Sequence, residues 1–176
     1  MHDTKKVISC LKELGFKPSI IKFEDRLIIQ KVVYLLQSKG VKIGFDFHLY
    51  TRGPYSACLT TEVYNNSREF ESLKTDVELT SKEKQNVEEL KSLFELKPSL
   101  LEVAATYAYF ILQGLDSINA LTEVKKLKPF FSEAQLAIGI SRVKEFLFRP
   151  SQKDIEDMKS EFSAWQSASI CSTKSD

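Results

Sequence analysis

The sequence predicts a predominantly all-α protein: one compact multi-helix domain over residues 1–166, with a short extended or hairpin-like segment near residues 41–50. Three observations carry this. Apolar residues recur at helical spacing through most of the chain. Pro98, Pro129 and Pro150 fall between the helical stretches, where the ring cannot clash with a preceding turn. Only Val41 to Tyr50 alternates strongly with a period of two, and a lone strand of that kind lacks an equally strong partner elsewhere.

In chain order, the first helix is expected from about Thr4 to Leu14, with Val7, Ile8, Leu11 and Leu14 on one face and Gly15 behind it. The second, from about Glu24 to Ser38, is apolar at Leu27, Ile28, Ile29, Val32, Val33, Tyr34, Leu35 and Leu36. That covers most of its circumference and makes it a central element. Ser56 to about Asn65 and Ser67 to Leu73 read as short helices. Longer ones are expected over roughly 80–95, 99–113, 117–127, 132–148 and 151–166. Thr80 with Glu83, Ser99 with Glu102, and Ser132 with Gln135 match the capping box, in which a hydroxyl and a later side chain satisfy reciprocal backbone N–H groups. Ser151 with Asp154 is a weaker version, and Asp116 is the expected cap of the 117–127 helix. The small, polar residues 167–176 read as a frayed tail.

Composition narrows the function. At 176 residues with 43% hydrophobic and 28% charged residues, the chain is an ordinary globular sequence. A net charge of +1 supplies no global field towards nucleic acid or an anionic membrane. The longest apolar run, Val103 to Leu112, falls short of the ~20 residues a spanning helix needs. The first residues lead into an amphipathic pattern rather than an apolar signal segment, and Cys10, Cys58 and Cys171 are isolated and odd in number. Together these features point to a cytoplasmic protein.

Catalytic and metal-binding signatures are sparse. With His2 and His48 the only histidines, and no C-x-x-C or H-E-x-x-H, no metal site is expected. Six scattered glycines make no phosphate loop, so no cofactor is expected. His48 lies eight to ten residues from Ser56 and Cys58, the spacing of a conceivable base and nucleophile. The simpler reading makes His48 solvent-facing and Cys58 a small filler.

The most informative stretch is Tyr50-Thr51-Arg52-Gly53-Pro54-Tyr55-Ser56. Gly53-Pro54 reads as a break in regular structure, with aromatics, a guanidinium and a hydroxyl around it. Gln30 and Lys31 are almost the only polar residues inside the central helix, and each needs a partner if buried. One arrangement joins them to Arg52 and Tyr55 in a polar cleft. In the simpler one, Gln30 bonds an interior backbone carbonyl while Lys31 reaches outward to solvent. The most basic surface is expected from Lys125, Lys126 and Lys128 together with Arg142, Lys144 and Arg149.

Arg26 to Gln37, followed at fitting distance by Phe47 to Ser56, resembles the YwgA-like uncharacterised protein family, as does Leu121 to Leu147 with its Leu127-Lys128-Pro129 and Phe131-Ser132. The first block is more distantly similar to the Panacea domain of SocA-type antitoxins, which shares a Leu-x-Lys-x-x-Tyr helix and a Gly-Pro turn. Here the helix reads Ile29-Gln30-Lys31-x-x-Tyr34, with isoleucine in the leucine position. The resemblance implies an α-rich fold without known catalytic residues and, through the Panacea domain, a protein partner. The expected function is therefore a non-catalytic protein-interaction or regulatory module, antitoxin-like, with Tyr50, Arg52, Gly53, Pro54, Tyr55, Ser56, Gln30 and Lys31 as partner-binding candidates. Self-association into a homodimer fits the same features. The alternative is a nucleic-acid-binding regulator using the basic 125–149 region.

Overall fold

The structure, a computed structural model, describes residues 2–148. Arg149, the helix expected over 151–166 with its Ser151 cap, and the 167–176 tail lie outside the described residues. Within them the chain forms α1 (Thr4–Glu13), α2 (Phe23–Ser38), β1 (His48–Tyr50), β2 (Gly53–Tyr55), α3 (Ala57–Asn65), α4 (Ser67–Ser72), α5 (Ser81–Phe94), α6 (Pro98–Leu112), α7 (Ser117–Leu127) and α8 (Glu133–Phe148). The fold is all-α apart from the β1–β2 hairpin.

Local chemistry explains most boundaries. Asp3 caps α1 by accepting the Lys6 N–H at 2.9 Å. Ser56 caps α3, and Asp116 caps α7 by accepting from Ile118 and Asn119. Thr80 with Glu83 forms the expected capping box of α5, and Ser132 with Gln135 exchanges the corresponding bonds ahead of α8. The third expected box does not form. Helix α6 starts at Pro98, whose ring presets the first helical φ and leaves no N–H to satisfy, and Lys97 makes no side-chain cap. Glu102 is thereby free of its backbone and turns inside the protein.

Helices α2 and α6 form the centre. Ten consecutive residues of α2, Leu27 to Leu36, and eight of α6, Leu101 to Ala108, are buried. A helix apolar around most of its girth must be covered on most sides. Helix α6 accordingly packs against α2, α7, α8 and β2, while α5 covers α1, α2 and α8. The approach of α8 to α6 is close: a Cβ on Gly139 would come within 2.7 Å of Val103 Cγ1.

The period-two reading of Val41 to Tyr50 holds for burial and only partly for pairing. Val41, Ile43 and Phe45 are buried while Lys42, Gly44 and Asp46 are exposed. This backbone is nonetheless held by non-strand partners. Ile43 O accepts from the Asp3 N–H at 2.8 Å, and the Gln37 amide brackets Phe45, accepting its N–H at 2.9 Å and donating to its carbonyl at 2.8 Å. Only the last three residues pair, antiparallel, and their partner is the Gly-Pro segment itself: His48 faces Tyr55, Leu49 faces Pro54 and Tyr50 faces Gly53. The chain therefore turns at Thr51–Arg52, and Gly53-Pro54 belongs to a strand rather than to the break expected of it. A two-stranded sheet has only edges, so a proline is tolerated there.

Gly53 is where the hairpin docks on α6. Its φ of +86° is unfavourable for L side chains, and a Cβ there would lie 2.3 Å from Thr106 Oγ1. Gly53→Ala is expected to destabilise the fold by about 1–3 kcal/mol through overpacking alone. Urea unfolding checks this; an unchanged midpoint would mean that the hairpin is not seated as described.

Candidate functional site

Helix α2, the hairpin and α3 enclose a cleft of about 390 Å³. Five sequence candidates line it: Gln30, Lys31, Tyr50, Arg52 and Tyr55. Gly53, Pro54 and Ser56 do not; all three are buried and hold the cleft together from behind. The Gln30 amide binds both backbone groups of Ser56, donating to its carbonyl at 2.9 Å and accepting its N–H at 2.9 Å, and also donates to Thr60 Oγ1. This clamp fixes the hairpin exit to α2 and the start of α3. The expected bond from Gln30 to an interior carbonyl is present.

Lys31 departs from the expected outward reach. It is 2% exposed, and its Nζ donates to Pro54 O at 2.7 Å, so the ammonium lies under the hairpin. The hairpin covers the ammonium, and what remains of the side chain's surface borders the cleft rather than bulk solvent. Burial pulls its ammonium from the ordinary 10.5 down to about 7. The nearby Lys128 and Arg52 charges add to that pull, and the Glu102 carboxylate opposes it.

Glu102 and Lys128 complete a charged cluster beneath the turn. Glu102 is 4% and Lys128 3% exposed. Lys128 Nζ bonds Glu102 Oε1 at 2.5 Å and Thr51 O at 2.9 Å, and the mostly exposed Arg52 reaches Glu102 Oε2 at 3.4 Å. Burial also lowers the Lys128 pKa, against the Glu102 hydrogen bond that raises it. Three cations thus surround one carboxylate. The sequence holds a signal for Glu102, a single acid between Leu101 and Val103 in the most apolar helix, where an unpaired charge is untenable.

The walls include residues the sequence reading did not single out. Phe23, Arg26 and Tyr64 line the cleft, with the Arg26 guanidinium 5.9 Å from the Phe23 ring centre and 5.8 Å from that of Tyr64. Arg52 stands 5.8 Å from the Phe23 ring on the hairpin side, and Tyr50 meets Tyr55 edge-on at 5.3 Å. Arg26 is anchored by bonds to the Ile20 and Ile21 carbonyls at 2.7 and 2.8 Å. Phe23 lies at the extreme end of α2 and Tyr64 on α3, so only folding brings them together.

Among the described residues the basic region divides between one internal lysine and several exposed cations. Lys128 is internal, correcting its expected place on that face. Lys125 pairs with Glu133 at 2.9 Å and Lys126 with Glu123 at 2.6 Å, and Lys144 stands 5.5 Å from the Tyr107 ring centre. Arg142 is exposed. The base-and-nucleophile spacing is not realised either: Cys58 Sγ lies 3.7 Å from His2 Nδ1 rather than against His48, and the Ser56 hydroxyl is engaged as the α3 cap. Cys58 is exposed, contrary to its expected role as a filler, whereas burial pushes the Cys10 thiol up to about 12. Among the described residues no three His, Cys, Asp or Glu side chains gather where a metal ion could be held, and no helix is long and apolar enough to cross a membrane.

Comparison of the chain with protein-family models, with curated proteins and with solved structures finds no match.

Two outcomes follow from the buried charges. Unfolded Lys31 keeps its ordinary value, so between about 7 and 10.5 the unfolded chain binds more protons than the native one. The stability of the wild type relative to Lys31→Met should therefore rise with pH in that window, by up to about 1.4 kcal/mol per unit, with the full penalty present below it. Urea melts of both proteins at several pH values read this directly, and a flat difference would contradict the placement of Lys31. Separately, Glu102→Gln strands the Lys128 charge and should cost about 3–5 kcal/mol, much of it recovered by adding Lys128→Met. Additive losses in that double-mutant cycle would show the pair to be uncoupled.

Proposed function

We propose that the chain is a non-catalytic protein-interaction module, regulatory and antitoxin-like in role, that holds a segment of a cytoplasmic partner protein in the cleft between α2, the hairpin and α3. One observation carries the reading: Phe23, Tyr50 and Tyr64 are 55%, 58% and 51% exposed around that cleft, with two guanidinium groups among them. Large aromatic rings left in water are unfavourable in isolation, and Tyr and Arg are the residues that concentrate binding energy at protein interfaces. The Gln30 clamp fixes the hairpin exit and the Tyr50 ring rests against Tyr55 before any partner arrives, which lowers the entropic cost of binding. The resemblance of Gln30-Lys31-x-x-Tyr34 and Gly53-Pro54 to the Panacea domain belongs with the same reading.

Affinity capture of the tagged protein from its host, with nuclease treatment, should recover a stoichiometric protein partner. A Phe23→Ala/Tyr50→Ala variant removes two half-exposed rings, so it should keep the wild-type melting temperature within a few degrees while losing the partner at least tenfold. A partner retained by that variant, or recovery of nucleic acid alone, would overturn the assignment of the cleft.

A further inference from the structure

The cleft is electrostatically incomplete. Among the described residues no Asp or Glu lines it, yet Lys31 forms its floor and Arg52 its rim. An ammonium carries three N–H donors. Lys31 has one acceptor, Pro54 O, and among the described residues no carboxylate lies within the 4.0 Å ion-pair distance. Glu102, whose charge acts on Lys31, is already taken by Lys128 at 2.5 Å and by Arg52 at 3.4 Å. Arg52 is mostly solvent-exposed and its contact with Glu102 is long, so its fork is available to a second anion. A buried cation without a counter-charge is costly, and a ligand anion is the group that would remove that cost.

We propose that the cleft receives the carboxylate of an Asp or Glu side chain from the partner segment, shared between the Lys31 ammonium and the Arg52 guanidinium, with a neighbouring apolar or aromatic side chain of that segment against Phe23 and Tyr64. This rests on the reading of the cleft as a protein-binding site. The occupant is identified by complementarity: a cationic floor asks for a carboxylate, and flanking rings in a cleft of about 390 Å³ ask for an apolar neighbour. The same arrangement couples binding to protonation. Lys128, Arg52 and Glu102 face Lys31 from the end of α7, the hairpin and α6, and Arg26 and the phenols of Tyr50, Tyr55 and Tyr64 complete the titratable and charged groups around the cleft. With two of these neighbours cationic and burial acting in the same direction, the Lys31 proton is held weakly until a carboxylate arrives. Binding therefore takes up a proton when the pH exceeds about 7 and none when it lies well below.

Calorimetric titration of the purified protein with acetyl-Glu-Phe-amide and its isostere acetyl-Gln-Phe-amide tests this. The Glu probe should bind at least tenfold more tightly than the Gln probe below about pH 7, and its affinity should fall by up to tenfold per unit above that value. Titration heats in buffers of different ionisation enthalpy should show proton uptake in the upper range only. Arg52→Gln, at a side chain that is 62% exposed, should reduce the Glu preference severalfold while keeping the pH break. Lys31→Met should lose both. Equal affinity for the two probes, or wild-type affinity that is flat across the break, would overturn the inference. Displacement of the Glu probe by equimolar inorganic phosphate would overturn the peptide assignment in favour of a free oxyanion. Uncharged selectivity with partner capture still dependent on Phe23 and Tyr50 sinks this inference alone; charge-selective probes with a partner indifferent to those rings sink the reading beneath it.

Discussion

The Lys128–Glu102 ion pair governs the arrangement of everything around the hairpin. Glu102 is the one carboxylate that the described residues bury, and it lies on the most apolar helix of the protein. Taking a carboxylate out of water is tolerable only with a partner at hydrogen-bond distance and its remaining lone pairs engaged. Lys128 supplies that contact from the end of α7, and the same ammonium binds the Thr51 carbonyl at the tip of the hairpin. One ion pair thus joins three parts of the chain: a central helix, a helix end and a turn.

The hairpin inherits its position from this pair and from the clamps behind it. Two three-residue strands have little stability of their own in water. Here Gly53 packs against Thr106, Pro54 O accepts from Lys31, and Ser56 is held at both backbone groups by Gln30. Gln30 and Lys31 of α2 therefore both bind backbone groups of one short segment. The segment is a packed corner on one face and leaves side chains in solvent on the other. Its inner face is buried against α2 and α6, while Tyr50 and Arg52 remain in solvent on its outer face.

The electrostatics of the cleft follow from the same economy of carboxylates. A single Glu102 cannot neutralise Lys128, Arg52 and Lys31 together, and Lys31, without an ion-pair partner among the described residues, has its pKa pulled down to about 7. The cleft behind the exposed rings is consequently cationic in a protein whose net charge is only +1. Local charge has been set by pairing geometry, which composition does not report.

The helices were legible in the sequence because their determinants are local. Thr80 and Glu83, Ser132 and Gln135, and Asp116 satisfy backbone groups only a few residues away, and the apolar girth of α2 announces a central element whatever surrounds it. Alternation from Val41 also foretold which side chains are buried, since period two expresses which face meets the core. The partners of that backbone were not legible, because Gln37, Asp3 and the Gly-Pro segment become neighbours only on folding. Likewise Gln30, Lys31, Arg52 and Tyr55 stood out as polar or aromatic residues in unusual positions, and the sequence determined that they needed partners. Whether Lys31 reached solvent or ran beneath the hairpin, whether Glu102 capped a helix or sat buried against Lys128, and whether Phe23 and Tyr64 joined the same cleft were decided by tertiary structure alone. The physical reason is range: capping and periodicity act within a turn or two of chain, whereas desolvation of a charge depends on every element that covers it.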